Sequence, residues 1–302
     1  MELEKFLGYF MSGLTRGSIY ALIALGYTMV YGIIQLINFA HGEIYMIGAF
    51  VALIVAGVLT IYGFSGVSIL VLAALVAVIY AAAYGYTLER IAYRPLRNAP
   101  RLSALISAIG MSLFLQNYVL LAQTPDFLRF PQLIPDFDFM ASVSHIIGSA
   151  EVVILATSAL SMVGLTLLIK YTRVGKAMRA TQQDMVMARL VGVDVDKVIS
   201  TTFVIGSVLA AIGGVLVGSY IGQINFYIGF LAGVKAFTAA VLGGIGNIPG
   251  AVLGGLVLGL AESLAAGYIS SAYEDVFAFG VLVLILILRP SGLLGRAVKQ
   301  KV

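Results

Sequence analysis

The chain carries no charged residue between positions 67 and 88, where the sequence is VSILVLAALVAVIYAAAYGYTL. A helix needs about 20 apolar residues to cross the roughly 30 Å of hydrocarbon in a bilayer, so this stretch predicts a membrane-spanning helix. Comparable apolar stretches lie near residues 8–34, 45–62, 102–122, 149–170, 198–220, 228–245, 250–267 and 275–289. The pattern predicts an all-α polytopic membrane protein with about eight or nine transmembrane segments, including a broken or re-entrant helix at 228–245 or 250–267.

Composition supports this class. The 302 residues are 61% hydrophobic and 11% charged, whereas charged residues make up roughly a quarter of a soluble protein. The mean hydropathy is +1.03. The 34 glycines favour close helix packing, because small residues let two backbones approach in a bilayer. We therefore expect one transmembrane domain over residues 1–302.

Several classes of protein require residues that this chain lacks. It contains no cysteine and only two histidines, His41 and His145. This composition argues against disulfides, thiol catalysis, iron–sulfur clusters and histidine metal sites, so no metal or other cofactor is expected. Serine, histidine and acid do not form a catalytic pattern at membrane depth, which argues against an intramembrane enzyme. The net charge of +4 lies in loops and does not indicate nucleic acid.

The charged loops predict the orientation. Residues 89–101 and 170–197 are rich in Lys and Arg, so the positive-inside rule places them in the cytoplasm, together with the basic C-terminal tail. The loop at about 123–148 and residues 271–275 are acidic and are predicted to be external. The N-terminus lacks the pattern of a removable signal peptide. Nine crossings would place it outside and eight would place it inside, and both remain open.

Residues 173–192, RVGKAMRATQQDMVMARLVG, are too polar to span a bilayer. Their mixture of charges with Ala, Met and Leu predicts one short amphipathic helix on the cytoplasmic side, ending near Gly192. Such a helix could lie at the membrane interface with its basic side chains in water. It could instead dock a soluble subunit, and periodicity alone leaves both interpretations open.

Longer motifs resemble one family of transport proteins. They are GYTMVYGII at 26–34, INFAHGEIYMIG at 37–48, ERIAYRPL at 89–96, ALISAIGMSLFLQNY at 104–118, TFVIG at 202–206, KAFTAAVLGGIGNIPG at 235–250 and RPSGLLG at 289–295. These motifs are similar to those of the permeases of branched-chain amino acid ABC importers, of the LivH type. The resemblance runs nearly end to end, and only residues 123–150 look variable.

The resemblance implies an ABC importer permease in a bacterial inner or plasma membrane, with several partners. A second related permease subunit, two ATP-binding subunits and an external substrate-binding protein would complete the importer, and the partner subunits would bind and hydrolyse ATP. The family commonly has an acidic pair where this chain has Gln183 and Asp184, so a charge at 183 is missing. Within the cytoplasmic coupling loop, about 171–197, the family's ATPase-docking positions map to Gly175, Arg179, Ala180, Asp184, Ala188 and Gly192.

The stretch NFAHGE at 38–43 interrupts apolar sequence with polar and flexible residues. Such residues are costly at membrane depth unless they face protein or a water-filled path, so Asn38, His41 and Glu43 are candidates for the translocation path. Alternatively, Asn38 caps a helix that starts near Phe39, with Glu43 near its positive end.

Residues 243–250, GGIGNIPG, cannot continue a helix smoothly, because both glycine and proline disfavour helix. They are predicted to form a turn or a broken-helix junction. The segment lacks the Gly-Lys-Ser/Thr ending of a nucleotide-binding loop. Broken helices often mark transporter pathways, so Gly243, Gly244 and Gly246 are further path candidates, with tight-turn packing as the alternative.

Lys235 and Glu262 lie inside the apolar stretches that flank this turn, where an isolated charge is costly. A helical hairpin would bring them together, so a structural ion pair is predicted. The alternative is that each reaches water near an interface. Charged ends more than about 6 Å apart would exclude the pair, since a hydrogen-bonded ion pair needs close contact.

The combined features favour the permease subunit of a binding-protein-dependent importer of leucine, isoleucine or valine. An importer of amides, urea or other amino acids is the alternative within the same class. A stand-alone secondary transporter or channel would need a relay of ionisable residues inside the membrane. The sequence offers few of these, chiefly Arg16, Glu43, Lys235 and Glu262.

Overall fold

The computed structural model describes residues 2–97, 99–135 and 147–295. Predictions on His145 and on the tail after residue 295 concern residues outside these ranges. Two short strands, β1 (Leu128–Arg129) and β2 (Gln223–Ile224), pair antiparallel, with Leu128 opposite Ile224. The elements in chain order are α1 (Glu2–Ile34), α2 (His41–Ile61), α3 (Val67–Leu88), a π-helical turn (Glu89–Tyr93), a 3-10 turn (Arg94–Leu96), α4 (Arg101–Ala122), β1 (Leu128–Arg129), α5 (Ser149–Tyr171), α6 (Arg173–Gln183), α7 (Met185–Leu190), α8 (Val195–Ile221), β2 (Gln223–Ile224), α9 (Ile228–Gly243), α10 (Ile248–Tyr268), a 3-10 turn (Ser271–Tyr273) and α11 (Glu274–Leu288).

Eight helical segments of the described chain are long and apolar enough to cross a membrane: α1, α2, α3 with the two turns that follow it, α4, α5, α8, α10, and α11 together with the 3-10 turn before it, Ser271–Leu288. The chain is therefore a multi-pass membrane protein. Helix α9 has 16 residues, which at 1.5 Å per residue gives about 24 Å, less than a full crossing. The prediction of eight or nine segments with one short helix is confirmed, and the short helix is the one at 228–245.

Helix α1 lies at the centre of the bundle and contacts α5, α8, α9 and α10. Glycines allow its backbone to touch that of α10. A Cβ atom added at Gly17 would lie 2.8 Å from the carbonyl oxygen of Gly255, and one added at Gly259 would meet the backbone nitrogen of Gly17. Small residues spaced four apart are typical of close helix crossings in membranes, because dispersion and backbone approach replace the hydrophobic effect there.

Helix α3 shows how a uniformly apolar sequence still acquires an inner face. Its buried residues recur every fourth position at Ile69, Ala73, Ala77, Ala81 and Gly85, and they pack against α2 and α8. The opposite face carries larger side chains that are exposed, as expected for a surface in contact with lipid.

The two loops predicted to be cytoplasmic lie at the same end of the molecule. The guanidinium of Arg97 binds both Glu89 and Asp196, and Arg94 Nη2 lies 2.8 Å from Asp196 Oδ2. The strand pair joins the loop predicted to be external, 123–148, to the segment after α8. The structure therefore groups the two loops that the sequence predicted to be cytoplasmic.

Residues 173–192 form two helices where the sequence predicted one. Helix α6 ends at Gln183, and Asp184 adopts an extended conformation. Its Oδ1 accepts hydrogen bonds from the amides of Val186 and Met187, so the aspartate caps α7. The predicted stop is confirmed: α7 ends at Leu190, and Gly192 has a φ of +85°, which glycine adopts without strain.

Candidate coupling surface and buried polar cluster

The six residues proposed for ATPase docking lie on the α6–α7 unit, but only some of them are accessible. Gly175 and Ala188 are buried within the chain, and Ala180 is half-buried. A Cβ atom at Gly175 would meet the carbonyl oxygens at the end of α5, so this glycine permits close packing of α6. Arg179, Asp184 and Gly192 are exposed, although Arg179 also donates to the carbonyl of Ile169.

The most exposed part of this unit is apolar. Val186, Met187, Leu190 and Val191 are 65%, 58%, 75% and 77% exposed, respectively. A short helix outside the spans with four neighbouring apolar side chains on its surface has the character of an interaction site. We call these four residues the α7 surface. The family resemblance did not indicate these four residues. The sequence did contain a signal for them, because Met-Val-Met and Leu-Val are apolar segments between charged residues.

The α6–α7 unit also contacts the membrane helices. Helix α6 packs against α1, α5 and α8. A Cβ atom at Gly32, in the last turn of α1, would lie 3.2 Å from Gln182 Nε2 and 3.7 Å from the Cα of Gly246. The end of α1, the α6 helix and the α9–α10 turn therefore meet at one point, so that a displacement of α6 reaches two transmembrane elements directly.

The NFAHGE stretch lies inside the bundle. The ring of His41 packs edge-on against Tyr27 with centroids 5.0 Å apart, and Tyr27 precedes the end of α1 by seven residues, or about 10 Å. Residues 35–40 therefore return into the bundle, and α2 begins at depth. The capping interpretation of Asn38 is wrong: α2 begins at His41 without a side-chain cap, and Asn38 Oδ1 instead accepts from Tyr93 Oη at 3.0 Å.

Glu43 is fully buried in the first turn of α2, as the sequence suggested. Its Oε1 accepts a hydrogen bond from Ser112 of α4 at 3.0 Å. A Cβ atom at Gly229 would lie 2.6 Å from its Oε2, so the start of α9 also faces this carboxyl group. The carboxyl group of Glu43 therefore lies at the amino ends of two helices, α2 and α9.

The GGIGNIPG segment is a tight turn held by residues that follow α11. Gly244 and Gly246 have φ angles of +103° and +89°. The amides of Leu293 and Leu294 donate to the carbonyls of Leu242 and Gly243. The tight turn and these contacts account for the glycines at positions 243 and 244 by close packing. A path or gating role for Gly243, Gly244 and Gly246 stays a prediction.

Lys235 Nζ lies 3.1 Å from Glu262 Oε1, well inside the separation that the predicted ion pair required. Two features of this cluster had no signal in the sequence. Asp275 from the first turn of α11 lies 2.7 Å from the same Nζ, and Tyr20 of α1 donates to Glu262 Oε2 at 2.7 Å. Glu274 bridges to Arg16 at 3.1 Å. The cluster thus joins α1, α9, α10 and α11, and Asp275 lies half exposed at its edge.

These features define a multi-pass membrane protein with an exposed apolar surface at one end and a buried polar cluster inside the helix bundle. A family model described as "Branched-chain amino acid transport system / permease component" matches residues 9–286. The chain belongs to this family of permeases.

Close relatives cover the whole chain. The high-affinity branched-chain amino acid transport system permease protein LivH of Escherichia coli K12 is 51% identical over 98% of both chains. LivH of Salmonella typhimurium is also 51% identical, again over 98% of both. BraD of Pseudomonas aeruginosa, with the same description, is 52% identical over 100% of this chain and 99% of its own.

Proposed function

We propose that the chain is the transmembrane permease subunit of an ATP-driven, binding-protein-dependent importer of branched-chain amino acids. Its relatives support the substrate class, because they are about half identical over nearly their full length. The observation that carries the role as a subunit is the exposed α7 surface, which needs a partner outside the membrane. The partners would be a second related permease, two ATP-binding subunits and an external binding protein, and ATP would bind only to the partners.

The contacts of α6 suggest how the motor acts. Closure of the two ATP-binding subunits would move the α6–α7 unit, and Gln182 would transmit this movement to Gly32 of α1 and to the α9–α10 turn. Rotation of the two permease subunits as rigid bodies would then alternate access to a central path. In this mechanism Asn38, His41 and Glu43 lie where two helices begin inside the bundle, a usual place for transporter sites.

Reconstitution tests the function. The chain is placed in liposomes with the second permease and the ATP-binding subunits, the binding protein is supplied outside, and uptake of labelled leucine is measured with and without ATP. We expect uptake that requires both ATP and binding protein and that unlabelled isoleucine and valine suppress. Suppression by urea or amides alone would favour the alternative substrate class. Uptake by the chain by itself, without ATP, would indicate a secondary transporter or channel.

The α7 surface gives a prediction for assembly. Replacing Leu190 with Asp places a carboxylate in an apolar contact and is expected to weaken association with the ATP-binding subunits by at least about tenfold, since burying an unpaired charge costs more than about 1.4 kcal/mol. Co-purification and ATP-dependent uptake measure the effect.

Gln183→Asp is the matched control, because it introduces the same charge seven residues earlier, at the end of α6, and restores the family's acidic pair. We expect association to persist in this variant. Equal loss in both variants would show that added negative charge, and not loss of apolar contact, disrupts the complex.

A further inference from the structure

A surface pocket of about 520 Å³ lies between the end of α3 and the start of α8, at the end of the bundle that the sequence predicted to be cytoplasmic. Its volume is within the usual range of small-molecule sites, about 300–1,000 Å³. Each of the two helices contributes one row of side chains to the pocket: Tyr86, Arg90 and Arg94 from the α3 side, and Lys197, Thr201 and Val204 from α8.

The α8 side of the pocket changes from charged to apolar along the helix. Lys197 lies in the first turn of α8, Thr201 follows one turn later, and Val204 lies deeper still. Lys197 and Val204 are separated by seven residues, or about 10 Å along the helix. The headgroup layer on each side of a bilayer is roughly 5–7 Å thick. The pocket is therefore long enough to extend from water, through the headgroup layer, to the hydrocarbon.

The α3 side of the pocket continues into a face that is expected to contact lipid. Tyr86 and Ile79 are seven residues apart on the same face of α3, and they are 42% and 61% exposed. Arg90 follows Tyr86 by one turn, and its Nη1 donates to Tyr86 Oη at 2.6 Å. The Arg90 guanidinium also lies 5.6 Å from the centre of the tyrosine ring. Tyr86 thus holds a cation directly above an apolar surface.

The carboxylates near the pocket are shared among several cations. Asp196 binds both Arg94 and Arg97, and the guanidinium of Arg189 lies 3.9 Å away. Arg97 also binds the buried Glu89. Three guanidinium groups therefore face two carboxylates, and this part of the pocket keeps a positive charge.

The other two cations of the pocket add to this charge. Among the described residues, no carboxylate forms an ion pair with Arg90. Lys197 pairs with Asp194, but the two side chains are 85% and 50% exposed. An exposed ion pair of this kind is weak, so Lys197 can turn to another anion. The pocket as a whole is suited to an anionic ligand.

We propose that this pocket binds the headgroup phosphate of an anionic phospholipid from the leaflet on that side of the membrane. The phosphate oxygens accept hydrogen bonds from Arg90 and Arg94, because guanidinium groups match the geometry of phosphate. The acyl chains lie along Val204, Tyr86 and Ile79. Basic pockets between membrane helices on the cytoplasmic side are typical sites for anionic headgroups. This inference does not depend on which solute the permease carries.

The shape of the pocket favours a lipid over a soluble anion. An acidic segment of a soluble subunit could reach the charged end at Arg94 and Lys197, but it would leave the apolar end at Val204 uncovered. A free phosphate ion would do the same. A phospholipid is charged at one end and apolar at the other, in the same order as the pocket.

Lipid titration of the full-length chain in detergent tests the charged end. Native mass spectrometry measures the dissociation constant of dioctanoyl phosphatidylglycerol for the wild type and for Arg90→Gln. We expect the constant to rise about fivefold, the effect of one basic residue near an anionic lipid surface. Arg173→Gln is the matched control, because it removes the same charge from an exposed position on α6, outside the pocket.

Three results of this titration would overturn the proposal. Equal loss of affinity in Arg90→Gln and Arg173→Gln would show general attraction of negative charge and no site. Equally tight binding of dioctanoyl phosphatidylcholine, which has the same chains but no net charge, would show a groove for acyl chains alone. Competition by inorganic phosphate at the concentration of the lipid would show a site for a free anion.

A bulky neutral substitution tests the pocket without a change in charge. Thr201→Trp fills the pocket, so the affinity for phosphatidylglycerol is expected to fall about fivefold or more. Thr166→Trp is the control, because Thr166 lies exposed on α5 and, like Thr201, donates to the carbonyl four residues earlier. The unfolding temperature without added lipid shows that both variants fold. Unchanged affinity in Thr201→Trp would refute the pocket as the binding site.

Discussion

Gly259→Val is expected to prevent stable folding of the bundle. The added side chain would enter the backbone of α1 at Gly17, which cannot move aside because Gly13 and Gly17 both contact α10 directly. Overpacking of a core typically costs about 1–3 kcal/mol, and a collision of two backbones belongs at or above the upper end, about 3 kcal/mol. Size-exclusion chromatography and thermal unfolding of the detergent-solubilised protein measure the effect.

Gly164→Val is the control for this prediction. Gly164 lies in α5, and a Cβ atom added there would meet no atom within 4 Å. The same change of residue in another spanning helix should therefore leave the unfolding temperature close to that of the wild type. Comparable losses in both variants would mean that valine itself, and not the α1–α10 crossing, causes the damage.

Lys235→Met is expected to cost about 3–5 kcal/mol, the usual effect of removing one partner of a buried ion pair. Glu262 is fully buried, and the substitution would leave its carboxyl group with the hydroxyl of Tyr20 as its remaining partner among the described residues. The thermal unfolding midpoint and the yield of monodisperse protein give the loss in stability.

The double variant Lys235→Met/Glu262→Gln tests the cause. Replacing both members of a buried pair is often nearly neutral, because no charge is left unpaired. The double variant should therefore recover most of the stability that Lys235→Met loses. A double variant as unstable as the single one would show that Lys235 acts mainly through Asp275, which lies closer to its Nζ.

The sequence predicted the features that depend on local composition or on simple helix geometry. Charge-free stretches predicted the spans, because the bilayer thickness sets their length. The two charges that flank GGIGNIPG predicted a hairpin contact, since each was costly alone. Arg16 and Glu274 belong to the same cluster but are 258 residues apart in the chain. No periodicity relates such positions, and only the packing of α1 beside α11 brings them together.

Two predictions about local structure were wrong because a different interaction took the side chain concerned. Asp184 looked like one charge in a continuous amphipathic helix, but its side chain bonds the amides of Val186 and Met187 and divides the helix. Asn38 had the right type for a cap, but a tyrosine 55 residues away takes its side-chain oxygen. The exposure of the α7 surface depends on which of its side chains α8 covers. The sequence of α7 alone does not give this contact.

The crossing of α1 with α10 also determines when α1 can pack during synthesis of the chain. Helix α1 emerges from the ribosome before α10, and its glycine face meets α10 at Gly255 and Gly259, nearly 240 residues later. At roughly 5–20 residues per second, α1 waits on the order of 10 to 50 seconds for its partner. During that interval Arg16 has no acidic partner from α11. The insertion machinery must therefore shelter a charged, glycine-lined helix until α10 and α11 have been synthesised.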